Sequence, residues 1–162
     1  MSSLGTTLRR WMAREAALVV GVGNELRGDD AVGAQVAKSL RNQGLPAVLV
    51  GDVPEAYTDV IRTSGCTRIL FVDAVDMGAE PGETALLEPD QLADTRHDTH
   101  RPSLALVMQY LEQTANCDCL LLGVQPAQVA LGQPMSREVR RSAEVLTELL
   151  CRLLSKRQRA RW

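Results

Sequence analysis

A strand–loop–helix pattern near the N-terminus constrains the fold most. The apolar run from Leu18 to Val22 leads into a glycine-rich loop, and a helical pattern follows from about Asp30 to Asn42. A run this apolar is typical of a central parallel strand that helices cover on both faces. Gly44 supplies a stop signal for the helix. The pattern therefore predicts a buried strand, a loop suited to a functional site, and a crossover helix.

The rest of the chain continues this alternation of strands and helices. Further strands are predicted at 47–50, 68–72, 83–87 and 119–124, and helices at 55–64, at 102–114 and after Ser136. The pattern predicts a three-layer α/β fold, with a twisted, mostly parallel five-stranded sheet and helices on both faces. Segment 83–87 is expected at a sheet edge, and Val60 and Ile61 are expected to face the core. One domain is expected over 1–162, with a helical extension at 1–15 and a basic tail at 156–162.

Composition excludes several classes of function. Charged residues make up 23% of the 162-residue chain and the net charge is −2, which does not indicate nucleic-acid binding. No apolar stretch approaches the roughly 20 residues that a membrane-spanning helix needs. Residues 1–15 also lack the apolar core of a signal peptide, so a cytoplasmic protein without membrane insertion is expected. The four cysteines are expected to be small core residues rather than disulfide partners.

The glycine-rich loop does not complete a dinucleotide-binding fingerprint. That motif requires Gly-x-Gly-x-x-Gly at the turn from strand to helix. Gly21 and Gly23 fit it, but Leu26 occupies the third glycine position. The consecutive aspartates Asp29 and Asp30 at the helix entry would repel a pyrophosphate. Nucleotide binding is therefore the weaker interpretation of this loop.

Two adjacent aspartates at a helix start have a simple structural explanation. One carboxylate can cap the helix, for which Asp29 is the better candidate, and the other can favour the positive end of the helix dipole. A functional explanation competes with it, because ligand sites in parallel sheets form at the carboxyl ends of the strands. Asp30 follows the first predicted strand, Asp73 ends the third, and His100 lies in a polar segment before a helix. If these groups converge, they form a site with two oxygen ligands and one nitrogen ligand, which suits zinc or nickel.

Four segments of the chain form a specific combination of motifs. The loop reads Gly-Val-Gly-Asn-Glu-Leu-x-Gly-Asp-Asp-Ala-Val-Gly at 21–33, and it is joined by the segment at 68–83, by Thr-His-Arg-Pro at 99–102 and by Leu-Gly-Val-Gln-Pro at 122–126. Together they resemble the hydrogenase maturation endopeptidases, in which they correspond to the N-terminal motif, the third strand, the histidine segment and the last strand. The similarity spans roughly 17–153 and is greatest to the branch that serves hydrogenases of the formate-hydrogenlyase type.

This resemblance implies a function and a set of site residues. The family's enzymes are cytoplasmic peptidases that remove the C-terminal extension of a [NiFe]-hydrogenase large-subunit precursor after nickel insertion. Transferred by motif, the nickel-contacting and catalytic residues are Asp30, Asp73 and His100, without individual roles, because His97 lies outside the Thr-His-x-Pro match. The nickel is expected to arrive with the substrate, so no permanently bound metal is expected. The partner is the large-subunit precursor, and the enzyme is expected to be a monomer.

Contacts to the substrate are expected from the first loop, at Gly23, Asn24 and Asp29. The segment at 50–55 departs from the Asp-Gly-Gly type of turn that is usual in the family. Two alternatives stay open: a related peptidase with a non-hydrogenase substrate, and a non-catalytic module that binds a metal-loaded partner.

Overall fold

A five-stranded sheet forms the centre of the molecule in the computed structural model, which describes residues 2–93 and 101–160. The strands are β1 (Ala17–Val22), β2 (Ala47–Gly51), β3 (Arg68–Ala74), β4 (Thr84–Leu87) and β5 (Asp118–Val124). Their order in the sheet is β2-β1-β3-β5-β4. β1, β2, β3 and β5 are parallel, whereas β4 pairs antiparallel with β5 at the edge. This confirms the mostly parallel sheet and the edge position of the segment at 83–87.

Helices cover both faces of the sheet, as predicted. They are α1 (Ser2–Met12), α2 (Val32–Asn42), α3 (Thr58–Thr63), α4 (Pro89–Ala93), α5 (Arg101–Thr114) and α6 (Arg137–Ala160). Short 3₁₀ turns precede α2 and α3, at Gly28–Ala31 and Pro54–Tyr57. The helix that follows the first strand was expected to begin at about Asp30, but α2 begins at Val32. The amides of Gly28 and Asp29 instead donate to carbonyls of the loop at 126–136, which holds this turn apart from the helix.

Two apolar cores lie on opposite faces of the sheet. One core joins α1, α2 and α6 to the sheet and includes Leu8, Val36 and Leu146. The other lies under α3, α4 and α5 and includes Phe71 and Met108. Side chains of β3 alternate between the two cores, as the pleat of a strand requires. This alternation assigns a face to every residue of the central strand.

The prediction for the second helix was wrong in two respects. The α-helical part of 55–64 is limited to Thr58–Thr63, because Pro54–Tyr57 forms a 3₁₀ turn. Val60 is also 53% exposed, whereas Ile61 is buried. Successive residues of a helix point about 100° apart, and in this short helix Ile61 faces the core while Val60 faces solvent.

Close packing at two glycines brings α2 against the sheet. A Cβ atom on Gly33 would lie 2.0 Å from the carbonyl oxygen of Val72 and 2.4 Å from that of Val22. A Cβ atom on Gly21 would lie 2.3 Å from the carbonyl oxygen of Gly33. Only glycine allows backbones to approach this closely. The start of α2 is therefore held directly over the carboxyl ends of β1 and β3.

Two of the four cysteines, Cys117 and Cys119, lie in the core as predicted, whereas Cys66 and Cys151 are partly buried. Cys117 and Cys119 are buried, and this burial raises the pKa of both thiols above the ordinary value. No cysteine of the described residues forms a disulfide. Over residues 2–93 and 101–160, none of the helices combines the length and the apolar character needed to cross a membrane.

Candidate active site

The carboxyl ends of β1 and β3 form the topological switch point of the sheet. From β1 the chain crosses through α2 to β2, and from β3 it crosses through α5 to β5 on the other side. The connections leave toward opposite faces, because α2 belongs to one core and α5 to the other. A crevice at such a point is the usual ligand site of open α/β sheets. The structure therefore gives the first loop the position that the sequence predicted for it.

Asp30 lies in the 3₁₀ turn above the end of β1. It is half-buried, and its Oδ2 accepts a hydrogen bond from the main-chain N–H of Asn24 at 2.7 Å. The backbone of Gly23 packs against the Asp30 carbonyl, and a Cβ atom at Gly23 would lie 2.0 Å from that oxygen. Gly23 has a φ of +119°, which a side chain would disfavour. The first loop thus wraps around Asp30 and orients its carboxylate.

Asp73 lies at the end of β3, next to the same turn. It is 6% exposed, and the 3₁₀ turn at Gly28–Ala31 contacts β3. Strand alternation places Asp73 on the face of Phe71 and Val75, which belong to the core under α5. The structure therefore brings the elements that carry Asp30 and Asp73 together at one edge of the sheet.

The direction of α5 brings its first turn toward this edge. Near the end of that helix, Glu112 accepts a hydrogen bond from the main-chain N–H of Cys119 at the start of β5. Because the helix ends at the amino edge of the strands, its beginning at Arg101 lies toward their carboxyl edge. α5 also contacts the turn at Pro54–Tyr57, which follows β2. His100 and His97 themselves lie outside the described residues, so the third predicted ligand stays a prediction.

Asp29 has a different structural role from the predicted helix cap. It is fully buried, and neither the 3₁₀ turn nor α2 has a side-chain cap. Its Oδ2 accepts hydrogen bonds from the N–H groups of Ala127 and Gln128 and from Ser136 Oγ, at 2.8, 3.3 and 2.9 Å. Its Oδ1 accepts from the N–H of Ser136 at 2.7 Å. The prediction of a cap was therefore wrong, because the carboxylate turns away from its own helix toward the loop that follows β5.

Gln125 is a third buried polar residue at this edge, after Asp29 and Asp73, and it was missed in the sequence. It is 6% exposed, and its Oε1 accepts hydrogen bonds from the N–H groups of Met77 and Ala79 at 2.6 and 3.2 Å. Its Nε2 donates to Asp76 Oδ1. The side chain thus fixes the loop that follows Asp73. The available signal was its place in the Val-Gln-Pro segment directly after a buried strand.

Amides of the first loop are already engaged within the protein. The N–H of Gly23 donates to the carbonyl of Gly51, and the N–H of Leu26 donates to Asn24 Oδ1. Together with the bond from Asn24 to Asp30, these contacts hold the loop in a fixed conformation. The predicted substrate contacts of Gly23, Asn24 and Asp29 remain predictions; Gly23 and Asp29 are buried in this structure, and Asn24 is partly exposed.

The donor set suits metal binding or proton transfer. Two carboxylates that converge on one site would favour a cation between them, since like charges otherwise raise the cost of ionisation. Among the described residues, no group of three His, Cys, Asp or Glu side chains has the arrangement of a metal site. A third ligand would have to come from a side chain beyond these residues or from another molecule.

Comparison with known proteins gives the same family from sequence and from fold. The model of the hydrogenase maturation protease family matches residues 35–153. The chain is 32% identical over 133 residues to the hydrogenase 3 maturation protease of Escherichia coli K12, a match that covers 80% of this chain and 85% of the relative.

Two solved structures are similar in fold along most of the chain. The [NiFe] hydrogenase maturation protease HycI from Thermococcus kodakarensis superposes with a TM-score of 0.83 at 30% identity, covering 92% of this chain and 99% of the other. The endopeptidase HycI from Escherichia coli gives 0.72 at 28% identity, over 82% and 87% of the two chains. The chain therefore belongs to the hydrogenase maturation protease family and is a peptidase.

Proposed function

We propose that this peptidase removes the C-terminal extension of a [NiFe]-hydrogenase large-subunit precursor after nickel has been inserted. The observation that carries the proposal is the meeting of the Asp30 turn and the Asp73 strand at the switch point of a maturation-protease fold. The similarity to the hydrogenase 3 enzyme favours a substrate of the formate-hydrogenlyase type. We expect the reaction in the cytoplasm, by a monomer.

Nickel carried by the precursor would complete the site. Asp30, Asp73 and His100 would supply two carboxylate oxygens and one imidazole nitrogen, which are suitable ligands for nickel. The Asn24 N–H fixes the Asp30 carboxylate, and a carboxylate has further lone pairs with which to meet a cation. A precursor without nickel would offer these three ligands no metal to bind. Processing would thus depend on metal insertion, with nickel acting as part of the substrate.

Hydrolysis of the peptide bond requires an activated water. Its oxygen bonds to the carbonyl carbon, the carbon–nitrogen bond breaks, and the departing nitrogen takes a proton. The nickel of the substrate can lower the pKa of the water or polarise the carbonyl. Alternatively, Asp30 or Asp73 can accept the proton from the water as general base. Both routes use the same edge of the sheet, so they share the same residues.

A folded substrate also needs a surface beside the site. Leu26, Val129 and Leu131 are 69%, 42% and 68% exposed. Leu26 lies in the same loop as Asp30, and its carbonyl accepts a hydrogen bond from the N–H of Gly132 at 2.8 Å. The segment at 126–134 contains no charged residue. We propose that these apolar side chains contact the precursor next to its cleaved segment.

The test compares nickel-loaded with nickel-free precursor. Purified enzyme is mixed with each form, and release of the C-terminal peptide is followed by mass spectrometry. Only the loaded precursor should be cleaved, and Asp30→Asn, Asp73→Asn and His100→Ala should each slow cleavage at least about 10²-fold. His97→Ala is the matched control and should cleave normally.

The alternatives give different outcomes in the same assay. Equal cleavage of both precursors would refute the dependence on nickel. Cleavage of neither, with a stable complex to the loaded form, would identify a binding module instead of a processing enzyme. An active His100→Ala together with an inactive His97→Ala would move the imidazole ligand to His97.

A further inference from the structure

Asp29 combines complete burial with a negative charge. Its carboxylate accepts four hydrogen bonds, which come from three main-chain N–H groups and one hydroxyl. A buried carboxylate is strongly destabilising unless such donors surround it, and here the four donors match the two oxygens of a carboxylate. The donors belong to Ala127, Gln128 and Ser136, about a hundred residues further along the chain. Asp29 therefore connects the loop after β1 to the loop after β5.

The loop that Asp29 holds contributes little to the apolar cores. Val129 and Leu131 are exposed, and so are Ala130 and Gln133. Met135, near the end of this loop, packs against the core that contains α2 and α6, so it is the exposed middle of the loop that depends on hydrogen bonds for its order. The Asp29 carboxylate accepts four of the bonds that join this loop to the first loop, and the main-chain N–H groups of Gly28, Asp29 and Gly132 donate three more. The gain from this charged contact is thus the fixed position of two loops rather than a larger core.

The same hydrogen bonds close a ring that contains Asp30. Asp30 accepts from the N–H of Asn24, Asn24 Oδ1 accepts from the N–H of Leu26, and the Leu26 carbonyl accepts from the N–H of Gly132. Gly132 lies within the loop whose two ends donate to Asp29. The peptide bond between Asp29 and Asp30 completes the ring. A displacement at Asp29 is therefore transmitted to the contact that orients Asp30.

We infer that Asp29 is a positioning residue, which fixes Asp30 and the loop at 126–136 relative to each other. Of the two adjacent aspartates, Asp29 is buried and sets the geometry, whereas Asp30 is half-buried and is the residue that is positioned. The structural part follows from the hydrogen bonds alone. Its catalytic consequence rests on the proposed function.

The test uses Asp29→Asn, which keeps the shape of the side chain. Every hydrogen bond to Asp29 is donated to it, so the new amide group must direct an N–H toward at least one donor. The kcat for the nickel-loaded precursor should fall roughly 10- to 100-fold, the size expected for a misplaced catalytic group. The amide signal of Asn24 in a ¹H–¹⁵N spectrum should shift, because its acceptor is Asp30.

Two further variants separate positioning from general loss of stability. Arg68→Gln removes a hydrogen bond to the Trp11 carbonyl and an ion pair to Asp118 at the opposite edge of the sheet. It should leave kcat and the Asn24 signal unchanged. Ser136→Ala removes only one of the four hydrogen bonds to Asp29 and should give a smaller shift in the same direction. Ser136→Ala decides the matter if Asp29→Asn does not fold.

The outcomes for Asp29 and for the proposed function are distinguishable. An Asn24 signal that stays in place in the Asp29 variant would overturn the inference, and so would a shifted signal with the kcat of the Arg68 control. A wild-type enzyme that does not cleave the loaded precursor would refute the proposed function. In that case the position of the Asn24 signal alone decides whether Asp29 fixes Asp30.

Discussion

Replacing Gly33 with alanine is the most direct test of how α2 is positioned over the sheet. An added Cβ atom would lie 2.0 Å from one carbonyl oxygen, whereas contacts below 3.0 Å are essentially never seen. The start of α2 must therefore move by about 1 Å, because the opposing atoms belong to the backbones of β1 and β3. Alanine otherwise favours a helix over glycine by up to about 1 kcal/mol. The steric overlap lowers the free energy of unfolding and the helix preference of alanine raises it, so the sign of the measured change shows which effect prevails.

We expect the steric effect to prevail in Gly33→Ala. Overpacking of this kind costs about 1–3 kcal/mol, and backbone atoms that cannot rotate away favour the upper end. A net loss of about 2 kcal/mol would lower Tm by roughly 4–8 °C in a chain of this size. Because the turn with Asp30 immediately precedes α2, a shift of 1 Å should also reduce kcat by roughly 100-fold. Thermal unfolding by circular dichroism and the precursor assay measure the two effects.

Gly44→Ala is the matched control for this substitution. Gly44 has a φ of +74°, but a Cβ atom there would meet no atom within 4 Å. Gly44→Ala should lower the free energy of unfolding by about 1–2 kcal/mol through backbone strain alone and leave kcat unchanged. A Gly33→Ala enzyme that is as stable and as active as the wild type would refute the steric argument. A loss of activity in both variants would attribute the effect to stability rather than to position.

Three further predictions concern other parts of the molecule. Burial raises the pKa of Cys117 and Cys119 above the ordinary 9.0, so these thiols stay protonated in the folded state. Their contribution to the free energy of unfolding is therefore complete below pH 9. It is lost as the pH rises above 9, by up to about 1.4 kcal/mol per pH unit for each thiol. Urea titrations at alkaline pH should therefore show that the free energy of unfolding depends less on pH when Cys117 and Cys119 are both replaced by alanine. An unchanged pH dependence would contradict the argument. Leu131→Asp should raise KM for the precursor several-fold at similar kcat, whereas Leu106→Asp, on an equally exposed leucine of α5, should not; equal effects would remove the loop from the substrate surface. Gln125→Ala leaves two main-chain N–H groups without their acceptor and should destabilise the protein by about 1–3 kcal/mol in urea titration, and a smaller loss would show that water replaces the side chain.

The architecture could be predicted because each element has a local signal. Buried strands appear as apolar runs, glycines end helices, and the alternation of elements dictates a parallel sheet. The position of Asp30 and Asp73 also followed, since the carboxyl ends of parallel strands meet at one edge. Resemblance to a family then supplied the chemistry, which composition and spacing alone did not.

The errors arose where distant parts of the chain compete with local preferences. Asp29 has the sequence context of a helix cap, but donors from residues 127–136 offer its carboxylate four hydrogen bonds instead of one or two. Gln125 was missed because its place after a buried strand does not reveal its partners, which belong to the loop after another strand. Val60 was assigned by apolar character, but a six-residue helix buries only one narrow face. Contacts of this kind depend on the assembled sheet, and no window of sequence contains them.

The order of strands also determines when the site can form during folding. β5 inserts between β3 and β4, so β4 has its sheet partner only after a strand that is made later. The hydrogen bonds to Asp29 likewise form only after the chain has been made as far as Ser136. Contacts between such distant segments form late, because closing the long loop costs entropy before any contact compensates for it. A growing chain that has not reached residue 136 therefore contains the carboxylates of Asp29 and Asp30 without the complete loop that fixes them. Peptidase activity should accordingly appear only in the last steps of folding.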